Sequence, residues 1–492
     1  MSLRLPEDDR LDPDGSVFAT PRVADTAVLI WVAVAGVGAD VAVRAGLASP
    51  GTALLVAIGA LGLAIGGRVR RTQALLVAGA APVIGCWLAV RTSPWLIVPD
   101  VGAAAGLLIL SATLQAGGDL FDLDVPRWLR RAGAALAHIF AGAASSAGGA
   151  MAAAVTRRGS AALRPPRLGP LLRGAAVAIP VLMILGALLR SADPVFASFL
   201  SVRLDGAGLT SHLIVALIGA WAMGGLLHLA SSTPPGDVRS TGFRLGTTEA
   251  VVVLGAVDIL FGLFAIAQLV AAAGGAHHVI GTTGLTYAEY ARSGYFQLLW
   301  VAGLALGLLV VLDTVVDRPR RTAGDAFGVT GAVAAALTIL IALVAFHRLA
   351  LYEHAFGLTM LRLCCQVFVV WITVVFVLLG LWLLGAWRGR DWFVGAAAMA
   401  GLVLLLAFNV ANPEALVARD VLRRGPDADV AYLTTLSDDA VPTVVAHLAD
   451  LSPEAVLDYR AIVCGAKPKK SAWPSLNLSR SQAERAIARL CP

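Results

Sequence analysis

Lysine is nearly missing from this chain: Lys467, Lys469 and Lys470 are the only three, all close to the C-terminus. Charge of either sign is scarce, at 14% of residues against 58% apolar. A soluble globular protein carries roughly 25% charged residues, so a water-soluble domain of this length is excluded. Nucleotide and hydrolase signatures are missing too. There is no P-loop, no glycine-rich dinucleotide fingerprint, no His-Glu-x-x-His and no Gly-x-Ser-x-Gly. An ATP-driven pump with its motor on this chain is thereby excluded, and no cofactor is implied. No recognised zinc spacing occurs around His277, His278, His347, Glu353 and His354, so no metal is expected. The loop Gly46–Gly51 has no acid, which argues against a lipid-linked glycosyltransferase, a class with a similar outline.

What is abundant is long apolar sequence, with a mean hydropathy of +0.79. A spanning helix needs about 20 mostly apolar residues. Runs at 24–45, 51–67, 73–91, 95–117, 171–190, 210–230, 248–272, 296–316, 328–347, 365–387 and 393–411 meet that need. The sequence therefore predicts an all-α, polytopic bundle of about eleven spans with a small all-α C-terminal domain. The second run is short and glycine-rich. The first lacks a signal-peptide cleavage site and reads as a retained span.

Arginine is spread unevenly, and it sets the expected orientation. Arg68, Arg70 and Arg71 fill one gap between runs, the stretch from Arg127 to Arg173 another, and Arg318, Arg320 and Arg321 a third. The gaps between these hold one or two basic residues each. Cytoplasmic loops retain Lys and Arg. With the N-terminus inside, inner segments carry about three times the basic residues of outer loops. The pI of about 9.3 thus reflects helix orientation and anionic headgroups, with no nucleic acid implied. The expected order is a polar cytoplasmic N-terminus (1–23), a first group of four spans (24–117), and a basic cytoplasmic linker with an interfacial helix (118–170). A second group of seven spans (171–411) and an extracytoplasmic tail (412–492) follow. A crossing by 127–155 would reverse everything after it.

The tail has the signs of about four helices. Asn412-Pro413-Glu414 and Ser452-Pro453-Glu454 are helix starts, Gly465 is a stop, and Ser481-Gln482-Ala483-Glu484 reads as a capping box for a last helix. Asp438 to Pro442 is a turn into another. Outside the cell, Cys464 and Cys491 are placed to pair, with Cys364 and Cys365 as other partners, or unrelated thiols, as the alternatives.

Several polar residues fall on the expected outer face. Tyr287, Glu289, Tyr290 and Arg292 lie in one loop, and Glu353, His354, Thr359 and Arg362 in another. These read either as a polar site or as an interfacial belt with local ion pairs. Asp258 lies mid-span, where a carboxylate is costly. It is a candidate for proton coupling or an interhelical hydrogen bond.

Some of these residues belong to a longer pattern. It begins with Asp193-Pro194-Val195-Phe196, then Glu249, Phe261, Phe264 and Gln268. Tyr287 to Arg292 with Gln297-Leu298 comes next, followed by Tyr352, Gly357-Leu358-Thr359 and Arg362. Asn412-Pro413 with Ala418-Arg419, Tyr432-Leu433, Leu436 to Pro442, and Trp473 with Asn477 to Arg480 complete it. From about residue 170 onward the chain resembles the polytopic bacterial membrane proteins known as domain of unknown function 4153/4173. The resemblance implies an integral membrane protein with no assigned activity and supplies no catalytic residue; the expected location is the bacterial plasma membrane. It adds Asn412, Arg419, Trp473, Asn477 and Arg480 to the outer-face cluster. The tail is then expected to grip the 287–292 and 353–362 loops, with 473–480 folded back on the 412–419 junction. The expected role is a sensor, scaffold or envelope-associated component with a protein or small-molecule partner on the outer face. A secondary transporter is the alternative.

Overall fold

The structure, a computed structural model, describes residues 26–66, 72–117, 208–231, 246–270, 295–316, 325–386, 392–425, 428–465 and 473–491. Ten apolar helices account for most of them. They are α1 (Thr26–Ala45), α2 (Pro50–Gly66), α3 (Thr72–Trp87), α4 (Pro94–Ala116) and α5 (Leu209–Ser231), then α6 (Thr247–Val270), α7 (Tyr295–Val315), α8 (Ala326–Phe356), α9 (Met360–Leu383) and α10 (Phe393–Ala411). Eight are long and apolar enough to cross a membrane; α2 and α3, with 17 and 16 residues, are shorter. No strand occurs among the described residues. The expected span at 171–190 and the interfacial helix at 127–155 lie outside them.

The sequence reading ends the ninth span at residue 347 and places a loop after it. Instead α8 runs on to Phe356, 31 residues in all, or about 46 Å at 1.5 Å per residue. Leu349, Tyr352 and Phe356 continue the helical spacing of apolar side chains, and Leu349 is buried. Gly357, at φ +83°, then ends the helix in a conformation that glycine adopts freely.

The helices form two bundles. In the first, α1 to α4 pack against their neighbours, and α5 packs on α1 and α4. The sequence reading groups that helix with the later spans. Small residues bring it here: Ala35, Gly36 and Ala39 of α1 meet Ala216, Gly219 and Ala220 of α5 at very close range. Small-residue seams of this kind let spanning helices approach closely. In the second bundle α8 packs against α6, α7 and α9, and α9 against α10. The bundles meet where Leu402 and Leu406 of α10 pack on Ala81, Ile84, Ala104 and Leu107 of α3 and α4.

α1 and α5 are antiparallel, because Gly36 faces Ala216 while Arg44, nearer the α1 end, bonds Ser211 and His212. The Ala45 end of α1, the turn after α3, the start of α5, the α8–α9 corner and the end of α10 therefore share one face. The tail packs on that face, opposite the Thr26 end of α1.

The tail contains α11 (Pro413–Leu422), α12 (Val430–Thr435), α13 (Val441–Ala446), a 3-10 turn (Leu448–Asp450), α14 (Pro453–Gly465) and α15 (Leu478–Leu490). Its core gathers Val417, Val421, Leu433, Val444, Tyr459 and Leu490, and Met360 of α9 enters the same cluster. The capping box expected at Ser481 does not start the last helix. Asn477 does, one turn earlier, with its side chain accepting from Arg480 N. Cys464 and Cys491, at the ends of α14 and α15, are joined as a disulfide across 27 residues, with Cα atoms 5.8 Å apart. Closing a loop of that length stabilises by roughly 3–4 kcal/mol, a large share for a domain of this size.

The α1–α5 seam makes a specific demand. A Cβ at Gly36 would stand 2.6 Å from the Ala216 carbonyl oxygen, whereas one at Gly307 in α7 would meet nothing within 4 Å. Gly36→Ala should lower the unfolding temperature of the detergent-solubilised protein, by an overpacking cost of about 1–3 kcal/mol. Gly307→Ala should leave it unchanged or raise it. Equal effects would contradict the seam.

Candidate functional site

Every helix end leaves backbone groups without partners inside the helix. At the tail-facing end of the first bundle those groups are satisfied by the tail. Beyond α3 the chain turns through Leu88 to Val90, leaving outward carbonyls. The first amides of α15 meet them: Leu478 N donates to Ala89 O and Ser479 N to Val90 O, both at 3.0 Å. The Asn477 amide nitrogen donates to Arg91 O (3.0 Å), Leu88 O (3.3 Å) and Ala48 O (3.4 Å). One asparagine thus caps its own helix with its oxygen and closes two bundle loops with its nitrogen.

The start of α4 is completed in the same way. Ser93 is the N-cap residue, and its side chain makes no capping bond. The Asp439 carboxylate, from the tail, instead holds the two backbone amides that lead into the helix, its Oδ2 accepting from Thr92 N at 2.9 Å and Ser93 N at 2.8 Å. An acid at a helix N-terminus also meets the positive end of the helix dipole. Asp439 has no exposed side-chain surface, and Arg91 Nη1 lies 3.9 Å from its Oδ1. Arg91 turns its other nitrogens to the end of α10, donating to Asn409 O from Nε (2.9 Å) and Nη2 (2.6 Å). The Asn409 amide donates to Asp100 Oδ1 at 2.8 Å, and both residues are fully buried. A continuous polar path therefore runs from Asp439 in the tail through Arg91 and Asn409 to Asp100 inside α4.

The α10–α11 junction is held by Asn412, in a left-handed conformation at φ 51°. Its Oδ1 accepts from Ala415 N, and its Nδ2 donates to Asp439 O at 3.1 Å. Glu414, buried beside it, accepts from Ser437 N at 2.6 Å. Burial pushes the Glu414 carboxyl above its ordinary pKa, opposed by the Ser437 hydrogen bonds.

A second contact joins the tail to the other bundle at the α8–α9 corner. Leu358 N donates to Asp420 Oδ2 at 2.9 Å, and Met360 N to the Tyr432 hydroxyl at 2.8 Å. The Arg424 guanidinium covers Gly357 at a range that leaves no room for a Cβ. Arg362 donates to Gly357 O and lies 4.3 Å over the Tyr352 ring. Gln366 donates to Glu353 Oε2 at 2.5 Å, and Thr359 caps α9.

The outer-face residues named from sequence therefore fall in two groups. Glu353, Thr359 and Arg362 gather at the α8–α9 corner, with His354 exposed on the same last turn of α8. Asn412, Asn477 and Arg480 gather at the first bundle, where Arg480 pairs with Asp438 at 3.4 Å. The 473–480 segment docks on the turn after α3, not on the 412–419 junction. Trp473 faces outward. Arg419 is exposed and lines a shallow pocket of about 260 Å³ with Arg423, His447 and Asp450. Asp258 has one carboxylate oxygen buried and without a hydrogen-bond partner. Tyr287, Glu289, Tyr290 and Arg292 lie outside the described residues. Sequence reasoning missed Asp100 and Asn409, although polar residues within apolar runs were a usable signal. Arg91, one of the few basic residues in the gaps poor in arginine, carries no motif that marks it.

Eight helices long and apolar enough to cross a membrane, with two shorter apolar helices packed among them, mark a multi-pass membrane protein. A family model described as a domain of unknown function, DUF4153, matches residues 77–447, most of the chain, and the protein belongs to that family. The matched stretch includes Arg91, Asp100, Asn409, Glu414 and Asp439; the 473–480 segment and the disulfide lie beyond it. No curated protein and no solved structure matches the chain.

Two adjacent acids should behave very differently. Asp439→Ala removes the acceptor of one buried and one half-buried amide and the partner of Arg91, a loss of roughly 2 kcal/mol or more. Asp438→Ala removes a half-buried ion pair at the surface, worth less than about 1 kcal/mol. Limited proteolysis and thermal unfolding of the two variants should differ accordingly. Equal stabilities would contradict this role of Asp439.

Proposed function

We propose that this protein is a sensor or scaffold of the bacterial cell envelope, with an extracytoplasmic tail that holds two membrane bundles in a fixed relation. One observation carries the reading: the tail bonds both bundles at once, through Asp439 and Asn477 on the first and through Asp420 and Tyr432 on the second. A partner or small molecule that shifted the tail would move the bundles relative to each other, and the reverse also holds.

Two features support the outward orientation. The arginine-rich gaps at 68–71, 318–321 and 388–390 join helix ends on the face away from the tail, which the charge rule assigns to the cytosol. The disulfide suits an oxidising compartment. In this reading residues 1–23 and the 118–170 linker are cytoplasmic.

Proton-coupled transport is the second reading, favoured by Asp258. Its unpartnered buried oxygen in α6 is costly inside a membrane and is the kind of group that transporters use.

A reporter that is active only outside the cytosol, fused after the tail, should be active; activity of a cytosolic reporter there instead would reverse the orientation. In a deletion strain, the scaffold reading predicts that Asp258→Asn restores the wild-type phenotype and Asp439→Ala does not. The opposite pattern would favour transport.

A further inference from the structure

The segment from Trp473 to Ser479 has two chemically opposite faces. Asn477 and Ser479 point into the junction and are 3% exposed. Leu476 and Leu478, on either side of Asn477, are 44% and 50% exposed, and Trp473 is 66% exposed. Asn477 is extended, at φ −143° and ψ 138°, which sends its neighbours to the other side. Polar residues inward and apolar residues outward is the reverse of a water-facing surface.

The position of this strap explains the reversal. Pro474 O accepts from Gly51 N at 3.4 Å, and Asn477 donates to Ala48 O. The strap therefore lies beside the connection between α1 and α2, where Leu47 is itself 56% exposed. Val43, near the end of α1, and Leu54, near the start of α2, are exposed on either side of the same connection. Several exposed apolar side chains gathered around one connection mark an interaction site. At the end of a membrane helix the adjoining medium is the headgroup zone, which tryptophan favours.

We infer that the strap is a membrane-contact site. Trp473, Leu476 and Leu478, together with Leu47, rest in the interfacial zone of the bilayer, so the tail is held by lipid as well as by the two bundles. The contact holds whichever face of the membrane the tail occupies, and is independent of the sensor reading. The shared surface is the bilayer itself, recognised by its apolar–polar boundary and not by a particular headgroup.

Trp473 is one of eleven tryptophans, so its signal is obtained as the difference between wild-type protein and Trp473→Phe. Phenylalanine keeps an aromatic ring and leaves the strap's backbone bonds untouched. The full-length protein would be reconstituted in phosphatidylcholine vesicles with or without lipid brominated near the glycerol. The Trp473 component should emit at short wavelength, lose most of its intensity to the brominated lipid and resist aqueous iodide. Quenching by iodide but not by brominated lipid would overturn the inference, because the strap would then face water. Quenching by neither would also overturn it, because protein would then cover the ring.

Discussion

Backbone groups at helix ends must find partners, and in this protein the partners of several membrane helices belong to the tail. The carbonyls beyond α3 take their donors from Asn477, Leu478 and Ser479, while the amides that open α4 take their acceptor from Asp439. A buried, unsatisfied backbone group costs about 1–3 kcal/mol. Undocking the tail at this face therefore requires water to replace all of these bonds together. This requirement turns a small helical domain into an integral part of the membrane structure.

The same requirement links elements that have little direct contact. The two bundles meet mainly through α10 against α3 and α4. Arg91 reinforces that meeting by capping the end of α10 while it faces the tail's Asp439. On the other side, Met360 enters the tail core as its amide is bonded by Tyr432. The disulfide between Cys464 and Cys491 holds α15, the helix whose N-terminus makes the junction, to α14. Asp100, at the inner end of the polar path, lies within an apolar helix. Any change in the tail that moved Arg91 would thus be felt inside the membrane.

Much of the fold was legible because apolar length and arginine spacing are local signals. Ten of the eleven expected runs form helices, and apart from the α8–α9 corner their ends lie close to those read from sequence. The α8–α9 boundary was misplaced because the polar residues His347, Arg348, Glu353 and His354 resemble a loop, while the helical spacing of Leu349, Tyr352 and Phe356 continues beneath them. The start of α15 was misplaced because Ser481 and Glu484 satisfy a local capping rule. Asn477 wins the position through bonds to residues almost four hundred positions away, which no local rule contains. The site was legible only in part for the same reason. Asn412, Asn477 and Arg480 carry visible motifs, but Asn409 meets Asp100 across 309 residues and Asp439 meets Thr92 across 347.

The most direct measurement of the docked tail is amide hydrogen exchange in the full-length, membrane-reconstituted protein. The amides of Thr92, Ser93, Leu478 and Ser479 should exchange slowly, at rates comparable with the tail core around Val417 and Tyr459, and Asp439→Ala should speed the exchange of Thr92 and Ser93. If these four amides exchanged as fast as an open loop while the tail core stayed protected, the tail would be folded but undocked, which would contradict its role as the partner of the membrane helix ends.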